Sequence, residues 1–162
     1  MRSNTLGTLL AFLTGAWLNL ASAAYETTEP VDFTLAQLGG GNVALSDYRG
    51  EWVVVNYWAT WCAPCVKEMP ELSALHEERD GVVVLGLAYE DVDDQEFFEF
   101  LEKAPVSYPI LKVDVYDPPQ PFGAPKVLPT TIILDPTGKA VKTFLGPVTR
   151  ASIENYLERV SE

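Results

Sequence analysis

The sequence predicts an α/β domain in which strands and helices alternate behind a short β-rich extension. Three observations predict it. Residues 52–58 (Trp-Val-Val-Val-Asn-Tyr-Trp) and 82–88 (Val-Val-Val-Leu-Gly-Leu-Ala) are nearly continuous apolar, β-rich runs, the pattern of strands buried inside a sheet. Between them the apolar period changes. Val66, Met69, Leu72 and Leu75 recur every three residues, while Lys67, Glu71, Glu77 and Glu78 can face water, which is a helical pattern. Finally, Asp135-Pro136-Thr137-Gly138 is a turn sequence set between β-rich residues 130–134 and 140–144, which therefore read as a hairpin.

The remaining elements follow in order. Residues 31–38 alternate apolar Val31, Phe33 and Leu35 with polar Asp32 and Thr34, as a strand with one buried face does. Gly39-Gly40-Gly41-Asn42 signals a turn, and residues 43–45 can return as the second arm of an N-terminal β-hairpin. The helix after Cys62 is expected to run to about residue 80, with a kink at Pro70, which has no N–H to donate. Asp93 or Asp94 can cap a helix carrying Phe97, Phe98 and Leu101. Prolines 118, 119, 121 and 125 stiffen a loop over residues 117–126. Thr149 can cap a last helix whose Ile153, Tyr156, Leu157 and Val160 fall on one stripe. With no repeat and no flexible linker, residues 24–162 read as one domain.

The N-terminus reads as an export signal. Arg2 precedes an apolar run over residues 6–20, and Ala21-Ser22-Ala23 supplies the small residues that cleavage before Ala24 requires. An uncleaved membrane anchor is the competing reading of residues 1–23, although the run is barely long enough to span. The expected location is the periplasm, free or tethered. Without residues 1–23 the chain has 10 basic and 23 acidic residues, a net charge of −13. That balance argues against nucleic acid, which calls for a basic footprint, and against an anionic membrane surface.

The cysteine count is the sharpest observation. There are two, Cys62 and Cys65, in Trp61-Cys62-Ala63-Pro64-Cys65, where the strand ends and the helix begins. At that spacing in a first helical turn the Cα atoms lie close enough for a disulfide. A bridge closing so short a loop stabilises little, so its role reads as chemical, with a purely structural staple as the alternative. Cys62, nearest the helix N-terminus, faces unpaired amides and the positive end of the helix dipole, which favour the thiolate. Cys65, one turn inside, is expected to be more buried and to resolve a mixed disulfide. Pro64 fits the first turn, where its missing N–H costs little. No metal is expected: zinc needs at least three protein ligands, and the chain offers two thiols and His76 well down the helix. His76 itself reads as a surface helix residue. Glu90, Asp91, Asp93, Asp94, Glu96, Glu99 and Glu102 read as a solvated helix face, or alternatively as an acidic rim for a basic client.

The stretch from Tyr57 to Pro70 (Tyr-Trp-Ala-Thr-Trp-Cys-Ala-Pro-Cys-Val-Lys-Glu-Met-Pro) resembles the active-site segment of the thioredoxin superfamily. Within it, the stretch is most similar to the exported TlpA/ResA/CcmG branch. Glu68, Pro70 and Leu128-Pro129-Thr130 match the branch's acidic residue, its helix proline and its cis-proline segment. The resemblance implies a thioredoxin-like fold: a central mixed β-sheet flanked by helices, here with the N-terminal β-hairpin extension. It implies catalytic Cys62, Cys65 and Glu68, a redox-active Cys62–Cys65 disulfide, and client contacts at Trp61, Ala63, Pro64, Leu128 and Pro129, the last in cis. Asn56 stands where cytoplasmic thioredoxins carry a buried aspartate and cannot take a proton, so Glu68 is expected to supply acid–base function to Cys65. A glutamate merely favoured by the helix dipole is the alternative for Glu68.

Electron flow is expected to run toward the client. Ala63-Pro64 puts no cation between the sulfurs, so the thiolate is only moderately favoured. The potential is then expected nearer that of thioredoxin, about −270 mV, than the about −120 mV of a strong oxidant. The resulting expectation is a protein-disulfide reductase without a cofactor. It would act as a monomer on client proteins bearing disulfides or thiols, such as apocytochrome c or copper-site proteins, and be recharged by a membrane thiol donor. A copper metallochaperone and a non-catalytic binding module are the alternatives from other classes.

Overall fold

The computed structural model describes residues 25–161; the signal segment assigned to residues 1–23 lies outside them. A small hairpin pairs β1 (Thr34–Ala36) antiparallel with β2 (Asn42–Ala44). It is followed by a 3₁₀ turn over Leu45–Tyr48. The main sheet has five strands: β3 (Trp52–Trp58), β4 (Val82–Ala88), β5 (Ile110–Lys112), β6 (Thr130–Leu134) and β7 (Ala140–Leu145). Their order is β5-β4-β3-β6-β7, parallel on the β5-β4-β3 side and antiparallel across β3-β6-β7. The mixed sheet and the buried strands at 52–58 and 82–88 match the expectation. β5 was not foreseen; three residues behind Pro109 carry too little period to read.

Three helices complete the domain: α1 (Ala63–Glu78), α2 (Asp94–Lys103) and α3 (Arg150–Ser161). α1 runs unbroken through Pro70. Asp93, not Asp94, caps α2, its Oδ1 accepting the Glu96 N–H at 3.0 Å. Thr149 caps α3 as expected, its hydroxyl oxygen accepting the Ser152 N–H at 3.2 Å. Both crossovers, β3-α1-β4 and β4-α2-β5, step the same way along the sheet. Right-handed connections then place α1 and α2 on the same face.

Strand alternation divides the apolar interior into two layers. Val54, Trp58, Val84, Ala88 and Ile133 meet Met69, Leu72 and Leu75 of α1, Phe97 of α2, and Ile153 and Leu157 of α3. On the opposite face, Val53, Val55, Tyr57, Leu85, Leu87 and Ile132 are covered by Phe33, Val43, Leu45 and Phe122. The hairpin extension and the proline-rich loop therefore do on that face what helices do on the other. Phe98 and Val160, read from the sequence as part of their helices' apolar stripes, are 42% and 47% exposed. Gly86 in mid-β4 is required by packing: a Cβ there would lie 2.7 Å from Ile110 Cδ1 and 2.9 Å from the Tyr108 ring. The loop after β5 is pinned to the sheet by Tyr57, whose hydroxyl donates to the Gly123 carbonyl at 3.2 Å, and by buried Phe122. It leads into Leu128, a cis peptide bond, and Pro129 at the start of β6.

Candidate active site

β3 ends at Trp58, and the chain turns through Ala59–Cys62, closed by the Cys62 N–H donating to the Ala59 carbonyl at 3.1 Å. α1 starts at the next residue, which makes Cys62 its N-cap. The Cys62 sulfur accepts the Cys65 N–H at 3.3 Å, so sulfur performs the service a serine or aspartate oxygen usually gives an orphan amide. Negative charge developing on that sulfur would be met by this N–H and by the helix dipole. Pro64 occupies the first turn, as its chemistry favours.

Cys62 and Cys65 are joined by a disulfide with Cα atoms 5.3 Å apart. Cys65 is fully buried, and the small exposed surface of the pair belongs to Cys62. Around it Trp61, Ala63 and Pro64 stand exposed. Trp61 and Leu128 come together in a groove of about 480 Å³ that also takes in Tyr89, Glu90, Lys126 and Val127. Pro129, the next residue, is buried, and its carbonyl accepts the Gly146 N–H. Among the described residues neither backbone group of Leu128 has a partner.

Glu68 is 3% exposed, which removes the reading of a surface glutamate. It lies one turn beyond Cys65 on the same helix face. One carboxylate oxygen accepts from Asn56 Nδ2 at 2.8 Å, and the other accepts the Val148 N–H at 2.8 Å. Asn56 Nδ2 also donates to the Thr131 hydroxyl at 3.0 Å, while among the described residues Asn56 Oδ1 has no partner. Burial pushes the Glu68 carboxyl up to about 7, against the pull of the Val148 and Asn56 hydrogen bonds. The site thus holds an acid that changes protonation near neutrality, one helical turn behind a buried sulfur. Glu68 also reaches the floor of a second groove, of about 420 Å³, with Pro64, Lys67 and Val148.

Two residues behave differently from their sequence reading. His76 is not a surface residue: it is half-buried, and its Nδ1 accepts the Val84 N–H at 3.2 Å. That N–H points toward β5, which pairs with β4 only from Gly86 onward, so the imidazole substitutes for a missing strand. Glu90 is half-buried while most of the acidic stretch around it is exposed, and it binds the turn before the disulfide. In the sequence it is one more acid in a run of acids. The only signal was its place two residues past the end of a strand. Among the described residues, no three His, Cys, Asp or Glu side chains gather as a metal site, and no helix is long and apolar enough to cross a membrane.

A mixed sheet, a disulfide capping the first long helix, and a cis-proline loop beside it define a thioredoxin-like thiol–disulfide oxidoreductase. Residues 27–144 match the AhpC/TSA family, and the chain belongs to that family. The thiol-disulfide oxidoreductase ResA of Geobacillus kaustophilus (strain HTA426) is 34% identical over 99% of this chain and 94% of its own. Among solved structures, a DsbF homologue from Corynebacterium diphtheriae is 31% identical with a TM-score of 0.70, covering 81% of this chain and 85% of that one. A secreted thiol-disulfide isomerase from Corynebacterium glutamicum is 32% identical with a TM-score of 0.68, covering 78% and 81%.

Proposed function

We propose that the protein is an exported reductase of protein disulfides. Cys62 attacks, Cys65 resolves and Glu68 moves the proton. The Cys62 thiolate attacks one sulfur of a client disulfide; a Cys62–client disulfide forms and the other client sulfur leaves as thiolate. Cys65 then gives its proton to ionised Glu68, and its thiolate attacks the Cys62 sulfur. The bond to the client breaks, the second client sulfur leaves and takes up the proton, and two electrons have passed from protein to client. The protein ends as the Cys62–Cys65 disulfide. When a dithiol donor, of the kind a membrane thiol carrier supplies, reduces the pair again, one donor thiolate attacks Cys62, Cys65 leaves and takes a proton back through Glu68, and the second donor sulfur releases Cys62 as the donor becomes a disulfide.

The observation that carries this reading is the buried Glu68 carboxyl, near 7, on the Cys65 side of an asymmetric pair whose exposed surface belongs to Cys62. Clients would dock along the groove between Trp61 and Leu128, with the unpaired backbone of Leu128 available to an extended segment. Export rests on residues 1–23 and on the secreted solved relative. Apocytochrome c and copper-site proteins are fitting clients, since both present cysteines that must be reduced before they receive their metal group.

Equilibration against glutathione tests the direction. A potential below about −180 mV supports the reductase, and a higher one makes the protein an oxidant. The Cys65→Ser protein tests the roles. It should accumulate a client joined through Cys62 by a disulfide visible on a non-reducing gel; the same adducts forming through residue 65 in Cys62→Ser instead would reverse the assignment.

A further inference from the structure

The parallel ladder between β3 and β4 ends with the Tyr89 N–H donating to the Trp58 carbonyl at 2.9 Å. Past that point the two strands part, and β3 enters the Ala59–Cys62 turn. The second residue of the turn, Thr60, takes its partner from a side chain. Glu90 Oε1 accepts the Thr60 N–H at 2.7 Å, and Oε2 accepts the Thr60 hydroxyl at 3.0 Å. A carboxylate receiving two donors at once fixes orientation as well as distance, and bonds of this charge-assisted kind are among the stronger ones in proteins. The ladder is in effect extended by one rung, with a carboxylate in place of a carbonyl.

What that rung holds is the turn itself. Trp61 is the third residue of the turn and Cys62 the fourth. Trp61 is 70% exposed, so little packing holds it. The same Glu90 lines the groove with Trp61 and Leu128. We propose that Glu90 is a positioning residue: through Thr60 it latches the Ala59–Cys62 turn, which sets Trp61 as a wall of the client groove and aims the Cys62 sulfur along it. This rests on the reading of Cys62 as the attacking sulfur and of the Trp61–Leu128 groove as the client site. It predicts that the latch works by the geometry of two hydrogen bonds, to which the negative charge adds strength but not direction. A glutamine offers one carbonyl oxygen to the Thr60 N–H and an amide N–H to the Thr60 hydroxyl, preserving both bonds.

The test is the second-order rate at which the reduced protein reduces insulin, with Glu90→Ala, Glu90→Gln and Thr60→Val beside the wild type. Alongside it runs hydrogen exchange of the Thr60 amide. Glu90→Ala should lose about tenfold in rate and at least about tenfold in Thr60 amide protection, the worth of a charge-assisted hydrogen bond. Glu90→Gln, whose two bonds are neutral and so weaker, should lose no more than about threefold on both measures, and Thr60→Val, which loses one of two bonds, should fall between the wild type and Glu90→Ala. Glu90→Ala at the wild-type rate overturns the proposal, as does Glu90→Gln as slow as Glu90→Ala, which would make charge the cause. Should Glu90→Ala not fold, Thr60→Val with wild-type rate and protection is enough to reject it. A wild type unable to reduce insulin would instead reject the assignment of Cys62 on which the proposal stands.

Discussion

Two glutamates serve the same helix start, and the fold treats them in opposite ways. Glu68 is buried one helical turn beyond Cys65 with two donors, Asn56 and the Val148 N–H. Glu90 stands half in water at the rim, also with two donors, both from Thr60. The number of hydrogen bonds is equal; solvent is what differs. For Glu68 the loss of water outweighs both bonds and raises the carboxyl to about 7. In the proposed reaction the buried carboxylate is the proton carrier, and in the proposed latch the one left at the surface is a fastening.

The sharpest way to break that contrast is Glu68→Gln. The variant can be accommodated. If Asn56 turns its amide over, the unpartnered Oδ1 can accept both from the glutamine amide and from the Thr131 hydroxyl, and the glutamine oxygen keeps the Val148 N–H. Resolution of the mixed disulfide at pH 8 should slow by about a hundredfold, the usual reach of a positioned acid–base group. In the wild type that rate should climb through pH 7 as Glu68 ionises, and the inflection should vanish in the variant. Stability supplies a second readout. A carboxyl whose folded value is raised binds its proton more tightly in the fold, so its contribution is present below about 4.5 and is lost as pH rises through 7. A rise of that size corresponds to roughly 3 kcal/mol. Urea melts should find Glu68→Gln gaining on the wild type by about that much between pH 4.5 and pH 8. A flat difference would mean that Glu68 is not the buried acid described.

At the rim the expected effects are smaller and touch clients only. Trp61→Ala removes an exposed ring from the groove wall and should slow reduction of insulin about fivefold to tenfold, the worth of one good interface anchor. The inflection near pH 7 should survive, because Trp61 has no part in the Glu68 network. Loss of that inflection in Trp61→Ala would join the two regions that the contrast separates.

How much of this could be read from the sequence divides along the same line. β3 and β4 were legible to the residue because buried parallel strands are written as unbroken apolar runs. The disulfide at the helix mouth was legible from spacing, and the cis-proline and Glu68 from resemblance. The hydrogen-bond network that holds Glu68 was not: the resemblance pointed to Asn56 and Glu68, but Thr131 of β6 and Val148 of the loop before α3 join them only in three dimensions. Glu90 was hidden by its neighbours: six other acids nearby made a solvated face the natural reading, and only the end of the β3–β4 ladder singles it out. The covering of the second sheet face by a hairpin and a proline loop was likewise invisible, because Phe33, Val43 and Phe122 meet only in three dimensions.

His76 supplies the control, a side chain that also completes a ladder but far from the sulfurs in function. Its Nδ1 accepts the Val84 N–H only while the ring is neutral. Burial lowers its pKa, so its contribution to stability is present above the ordinary histidine value and is lost as pH falls through the lowered one, the reverse of Glu68. His76→Phe keeps a ring against Tyr108, its edge-on neighbour, and leaves the Val84 N–H unpaired. It should cost about 1–3 kcal/mol at pH 7.5, and the deficit should shrink in acid as the wild-type imidazole protonates and gives up the same bond. Reduction of insulin should be unchanged. Two side-chain latches, one on each side of β4, would then be told apart by what they hold: Val84 lies in the packed interior of β4, whereas Thr60 carries the turn that ends in Cys62. A slower exchange rate in His76→Phe would mean that ladder integrity anywhere along β4 reaches the disulfide, and the local reading of the Glu90 latch would lose its ground.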